Sequence, residues 1–180
     1  GYDKKLRPWR DTHLRIEAAG VYALQNIFLD DWRYCKNDNT PPKLYLENGY
    51  FPSPSIRGNA TVQLVTSGPD SQVQKIKETF VKMILNAKER VYIQTPYFIP
   101  DDVFFSALRI AVKSDIDVRL MVPSIPDKKT VYLATLSYLK EMSELGIKIY
   151  LYKGFLHSKT ILVDKNKLSI GTCNTDNRSF

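Results

Sequence analysis

Two histidines occur in 180 residues, and one of them stands in a setting suited to phosphate chemistry. His157 is followed two places on by Lys159, and then by Asp164, Gly171, Thr172 and Asn174. Residues i and i+2 of a strand project from one face, so a strand over 157–163 would present imidazole and ammonium side by side. Asp164-Lys165-Asn166-Lys167 is a polar turn, and 167–172 reads as a returning strand. Such a hairpin brings Gly171, Thr172 and Asn174 back toward His157. The set then holds a nucleophile or base, a cation, and two neutral hydrogen-bonding groups. Lysine neutralises an oxyanion, amide and hydroxyl donate to its oxygens, and imidazole attacks phosphorus or carries a proton. Gly171 leaves room for a ligand against the backbone. Asp164 has the opposite parity to His157, so the pattern gives it a structural role, in which it fixes the turn or pairs with a basic group.

The second histidine, His13, has no lysine two residues later. Its context, an alternating run over 12–17, predicts a half-buried strand on which His13 is a surface or hydrogen-bonded residue. Asp30-Asp31 and Asp101-Asp102 are paired acids without His or Cys at ligand spacing, so neither a metal nor another cofactor is expected. Cys35 and Cys173 are too few and too far apart for a disulfide framework, which favours a reducing compartment. Cys173 lies close to the candidate site, but a small buried apolar residue is the simpler assignment.

The spacing His157-x-Lys159-x4-Asp164-x6-Gly171, with Thr172 and Asn174 following, resembles the HKD motif of the phospholipase D superfamily. The segment 94–101 (Gln-Thr-Pro-Tyr-Phe-Ile-Pro-Asp), the surroundings of Val131-Tyr132, residues 146–150, residues 174–180 and residues 8–15 (Pro-Trp-Arg-Asp-Thr-His-Leu-Arg) are similar to bacterial cardiolipin synthases. In that family the last of these segments follows the first of two HKD motifs. The resemblance therefore implies a chain that begins after motif one and stops just past motif two. It assigns His157, Lys159 and Asp164 to the catalytic motif and Thr172 and Asn174 to phosphate binding, with no metal. It implies phosphatidyl transfer from one phosphatidylglycerol to another, with release of glycerol through a phosphohistidine. The implied partners are phosphatidylglycerol, an anionic membrane and the N-terminal HKD half, with nucleic acid disfavoured. The implied location is the bacterial cell membrane, catalytic part on the cytoplasmic side. Two readings compete: a phospholipase D or nuclease-like phosphodiesterase of the same superfamily, and a non-catalytic basic module that binds anionic membranes or nucleic acid.

Composition agrees with an anionic partner. Lysine and arginine number 26 against 19 acidic residues, a formal charge of +7, with the excess leaning to residues 61–180. Scattered solvated lysines are the plain alternative. No apolar run reaches ~18 residues, so nothing in the sequence reads as a membrane span or signal peptide.

The elements that must position the site follow from periodicity. Residues 21–32 carry apolar side chains at helical spacing. Residues 35–59 hold four of the ten prolines and read as a linker, with Tyr45, Tyr50 and Phe51 suited to packing. Strands are expected over 61–66, 90–95, 116–122 and 147–152, and helices over 71–88, from an Asp101 or Asp102 cap to 113, and over 129–145 with Gly146 closing the last. Alternating strand and helix define an α/β layered domain, phospholipase D-like by the resemblance: a mixed, largely parallel sheet flanked by helices, antiparallel at its end. The expected division is 1–34 as the tail of a first catalytic half, 35–59 as linker, and 60–180 as the second HKD-bearing domain.

Overall fold

The computed structural model describes residues 4–37, 44, 49–53, 58–68 and 72–180. They form two compact units: residues 14–66, and residues 1–13 together with 67–180. Compactness therefore places the first 13 residues with the HKD-bearing part, whereas the sequence groups them with 14–34. That grouping concerns this chain alone.

In the smaller unit, α1 (Val21–Lys36) ends at Asn37, whose left-handed backbone (φ 49°) lets its N–H return to the Arg33 and Tyr34 carbonyls. The run 12–17 forms no strand. Leu14 is 57% exposed and no ladder partner meets it, so alternation alone did not produce pairing. Residues 61–66 are likewise irregular, with Val62 and Leu64 exposed. Much of the expected linker, including Pro41, Pro42, Tyr45 and Pro54, lies outside the described residues. Within it, Tyr22 meets Phe51 edge to face at 5.7 Å.

The larger unit starts with β1 (Trp9–Arg10). It continues from residue 67 through α2 (Lys75–Leu85), β2 (Arg90–Gln94), β3 (Phe98–Ile99), α3 (Asp102–Lys113) and β4 (Asp117–Pro123). Then come α4 (Lys129–Glu144), β5 (Lys148–Tyr152), β6 (Phe155–Leu156), β7 (Thr160–Val163), β8 (Lys167–Ile170) and β9 (Thr175–Asp176). The main sheet has the order β5-β4-β2-β7-β8. Its first three strands are parallel, and β7 and β8 are antiparallel, as the pattern of helices and the closing hairpin predicts. Register aligns Val91 with Val118 and Val163, and Ile93 with Leu120 and Ile161. These side chains share one core with Phe80 and Ile84 of α2, Phe104 and Leu108 of α3, and Leu139 and Met142 of α4. Each buried side chain of this size contributes about 1.5–3 kcal/mol.

Two boundaries differ from expectation for identifiable reasons. Helix α2 stops at Leu85 because the N–H groups of Lys88, Glu89 and Arg90 are taken by the Asp164 carboxylate and not by another helical turn. Strand β7 starts at Thr160 and not at His157, because His157 belongs to a different ladder. Its N–H donates to the Arg10 carbonyl at 2.7 Å, prolonging the parallel β1–β6 pair. Asp101 is the helix cap, accepting the Phe104 N–H at 2.9 Å. Gly146, at φ 98°, closes α4.

Because β2, β4 and β5 run the same way, their carboxyl ends gather at one edge. From that edge emerge Thr95 to Tyr97, Pro123 to Asp127, and Tyr152 through β6 to His157.

Candidate active site

His157 is held by residues from the far end of the chain. Its Nδ1 lies 2.8 Å from Asp11 Oδ2, and its ring packs 5.3 Å from Trp9 and 5.9 Å from Phe155. Phe155 N–H donates to the Pro8 carbonyl, and the buried Ser158 hydroxyl meets Thr12 Oγ1 at 2.8 Å. Residues 8–12 therefore clamp the histidine segment along its length, from Phe155 to Ser158. This clamp approaches closely at Gly154, where a Cβ would overlap the Pro8 carbonyl oxygen.

Burial resists ionisation of Asp11. The hydrogen bond with His157, the Thr12 N–H, and the nearby charges of His157 and Lys159 outweigh it and hold the carboxyl below its usual range. An ionised carboxylate only accepts, so the Nδ1 proton belongs on His157. That tautomer frees Nε2 for phosphorus or for a proton, the logic of a carboxylate-oriented catalytic imidazole.

Lys159 is beside His157 but not in the pose strand parity predicts. With β7 beginning one residue later, its ammonium turns back to the His157 carbonyl at 2.6 Å. Burial lowers its pKa, opposed by the charges of Asp11 and Asp127. Gly171 N–H donates to the Lys159 carbonyl at 3.3 Å, so the hairpin does return to the site. Thr172 is exposed, without a hydrogen-bond partner among the described residues. Asn174 is half-buried. Its Nδ2 reaches Ser179 Oγ at 3.4 Å, while its Oδ1 is buried without a partner among the described residues. An orphaned amide oxygen is costly.

Asp164 is not brought to the histidine. It sits beyond the opposite end of β7 at φ 55°, its carboxylate on the N–H groups of Lys88, Glu89 and Arg90. Cys173 packs against the core, and burial together with Asp176 pushes its thiol up to about 11, which keeps it protonated and inert. Among the described residues, no three His, Cys, Asp or Glu side chains cluster as metal ligands, and no helix is long and apolar enough to cross a membrane.

Asp11, Thr12 and Ser158 are the functional neighbours that residue-by-residue reading missed. The only signal was that residues 8–15 form one of the resembling segments. Nothing local tells that Asp11 meets a histidine 146 positions away.

A sheet of this order, with a histidine and lysine at its carboxyl edge, defines a phospholipase D-like domain. Residues 80–180 match the family model described as the cardiolipin synthase, PLD-like domain, and the chain belongs to that family. It is 46% identical to the cardiolipin synthase of Listeria welshimeri and 47% identical to the major cardiolipin synthase of Bacillus subtilis. Each alignment takes in 100% of this chain and 37% of the relative, so the chain spans little more than a third of those proteins. The solved structure of Nuc, a phospholipase D family member from Salmonella typhimurium, superposes with a TM-score of 0.50 at 20% identity. That match covers 58% of this chain and 68% of Nuc and bears on the fold alone.

Proposed function

We propose that this chain supplies one of the two histidine–lysine sets of a cardiolipin synthase. The observation that carries the reading is the oriented His157, with Asp11 on Nδ1 and Lys159 alongside, in a chain similar along its whole length to cardiolipin synthases. In the proposed reaction, one histidine attacks the phosphorus of phosphatidylglycerol through Nε2. The bond to glycerol breaks, and the other histidine gives the departing oxygen its proton. The hydroxyl of a second phosphatidylglycerol then loses its proton to that same histidine and attacks the phosphohistidine. The P–N bond breaks and cardiolipin forms. Lys159 and Asn174, with Thr172 as a further donor, hold the phosphate oxygens as charge builds on them. Asp164 supports the hairpin that carries them.

One histidine cannot fill both roles in a single turnover. The second comes from an N-terminal HKD half or from a second copy of this chain. Phosphatidylglycerol and an anionic bacterial membrane are the proposed partners, and the +7 charge suits that surface.

The test joins the chain to an N-terminal HKD half and supplies phosphatidylglycerol vesicles, with and without His157→Ala. Glycerol and cardiolipin should form together, and the variant should lose on the order of 10⁴-fold or more of the rate. Phosphatidate without cardiolipin would establish a hydrolase instead. No lipid product would overturn the lipid reading.

A further inference from the structure

At the edge of the site stands a carboxylate that forms no close ion pair among the described residues, although its charge is felt by Lys159. Asp127 is exposed, and the one side-chain hydrogen bond it makes among the described residues is with the Tyr97 hydroxyl, which donates to Oδ2. Both residues are held where they are by backbone anchors. The Ser124 N–H donates to the Tyr152 carbonyl at 2.9 Å and the Ile125 N–H to the Gly154 carbonyl at 3.2 Å. That ties the loop bearing Asp127 to the segment that runs straight into His157. On the other side, Thr95 Oγ1 donates to the Tyr97 carbonyl at 2.8 Å, one residue beyond Gln94, which pairs with Thr160 beside Lys159. Tyr97 and Asp127 thus flank the His157–Lys159 segment from the ends of β2 and β4.

The chemistry of this pair is at odds with phosphate binding and well matched to a neighbouring group. A carboxylate only accepts hydrogen bonds, and it repels an anion. Placed beside a phosphodiester, it gains only if the ligand offers hydroxyl donors next to its phosphate. Burial, and then Asp127, push the Tyr97 phenol well above its ordinary pKa, so it stays a donor. Asp127 leaves a second oxygen open. A polyol fits both: one hydroxyl donates to Asp127, and another accepts from or displaces Tyr97.

We propose that Tyr97 and Asp127 form the alcohol subsite, holding the unreacted hydroxyls of the glycerol group that leaves or attacks. This rests on the transferase reading above. Both residues select the alcohol and position it; neither is assigned a covalent step.

The test uses the protein joined to its N-terminal HKD half, on phosphatidylglycerol vesicles, with deuterated glycerol and 1-propanol competing as soluble acceptors. The readout is the ratio of labelled phosphatidylglycerol to phosphatidylpropanol. Both products arise from one donor in one reaction, so a general loss of turnover cancels. Asp127→Ala should lower the ratio on the order of tenfold, the worth of a hydrogen bond to a charged group, and Tyr97→Phe should lower it less. If Asp127→Ala gives no product, the Tyr97→Phe ratio decides. An unchanged ratio in a variant that still makes both products overturns the subsite and leaves the transferase standing. Wild-type protein that makes neither product overturns the transferase, and the subsite with it.

Discussion

Two carboxylates flank the same short stretch of chain and do opposite work. Asp164 lies within the HKD spacing, seven residues after His157, and reaches only backbone: N–H groups at 3.0 Å from Lys88, 2.8 Å from Glu89 and 3.3 Å from Arg90. Asp11 lies outside the spacing altogether, and it is the one bonded to His157, at 2.8 Å. Both are held ionised. Backbone donors do this for Asp164, and the histidine hydrogen bond does it for Asp11 against the opposition of burial. A motif thus records two kinds of need at once. Its first members are the ones proposed above to face the phosphate, and its acidic member ties the hairpin to the start of β2. The group that orients the histidine comes from elsewhere, through a ladder between strands far apart in sequence.

The most damaging way to test this contrast is to dislodge Asp11 without touching it. Gly154 has φ 150°, and a Cβ there would overlap the Pro8 carbonyl oxygen and lie 2.8 Å from Pro8 Cδ. Backbone cannot yield to such an overlap, and the conformation itself excludes side chains. Gly154→Ala should push residues 8–12 off the histidine segment. With the chain joined to an N-terminal HKD half, as in all the assays below, the expected result is a lower melting midpoint together with a loss of cardiolipin formation larger than the removal of Asp11 alone produces. A variant with wild-type melting and turnover would show that the clamp is dispensable.

Asp11→Asn comes next in size. It leaves the clamp's backbone hydrogen bonds in place and removes the charge that fixes the Nδ1 proton. Cardiolipin formation should fall on the order of 10²-fold, the scale of a mispositioned general acid–base, while the melting midpoint stays near wild type. Nitrogen-15 spectra of the imidazole should show the Nδ1–H tautomer giving way to a mixture. A rate loss with an unaltered tautomer would sink the orienting role.

The sheet and its site were unequally legible in the sequence. Strands β2, β4 and β5 and helices α3 and α4 fall close to where periodicity puts them, because each has a continuous apolar face and a strong stop: Asp101 at one helix start, Gly146 at another helix end. His157 and Lys159 stand out for their types and spacing. What failed were features decided by partners. The alternation over 12–17 found no strand to pair with, and Leu14 remained exposed. The strand expected from His157 began at Thr160, because β1 claimed the His157 N–H. The helix expected to reach 88 ended at Leu85, because Asp164 captured the next donors. In the first case no partner strand came, and in the other two a long-range hydrogen bond overrode a correct local preference; no window of sequence contains both ends of such a contact.

The smallest effect belongs to Asp164, and it should appear in stability alone. Asn tolerates the left-handed backbone and keeps one acceptor, so Asp164→Asn removes the charge while sparing the turn. The folded carboxyl lies below its usual value of 3.8. Its contribution is therefore fully present above that value and is lost as pH falls through the lower folded pKa. Wild type should melt above Asp164→Asn at pH 7, and the two curves should converge as the solution is acidified past the ordinary carboxylate range. Well below the melt, cardiolipin formation by the variant should follow its folded fraction. Curves that stay parallel down to the acid limit would mean that the charge on Asp164 does not bear on folding. A rate deficit in fully folded Asp164→Asn would place Asp164 with Asp11, on the catalytic side of the contrast.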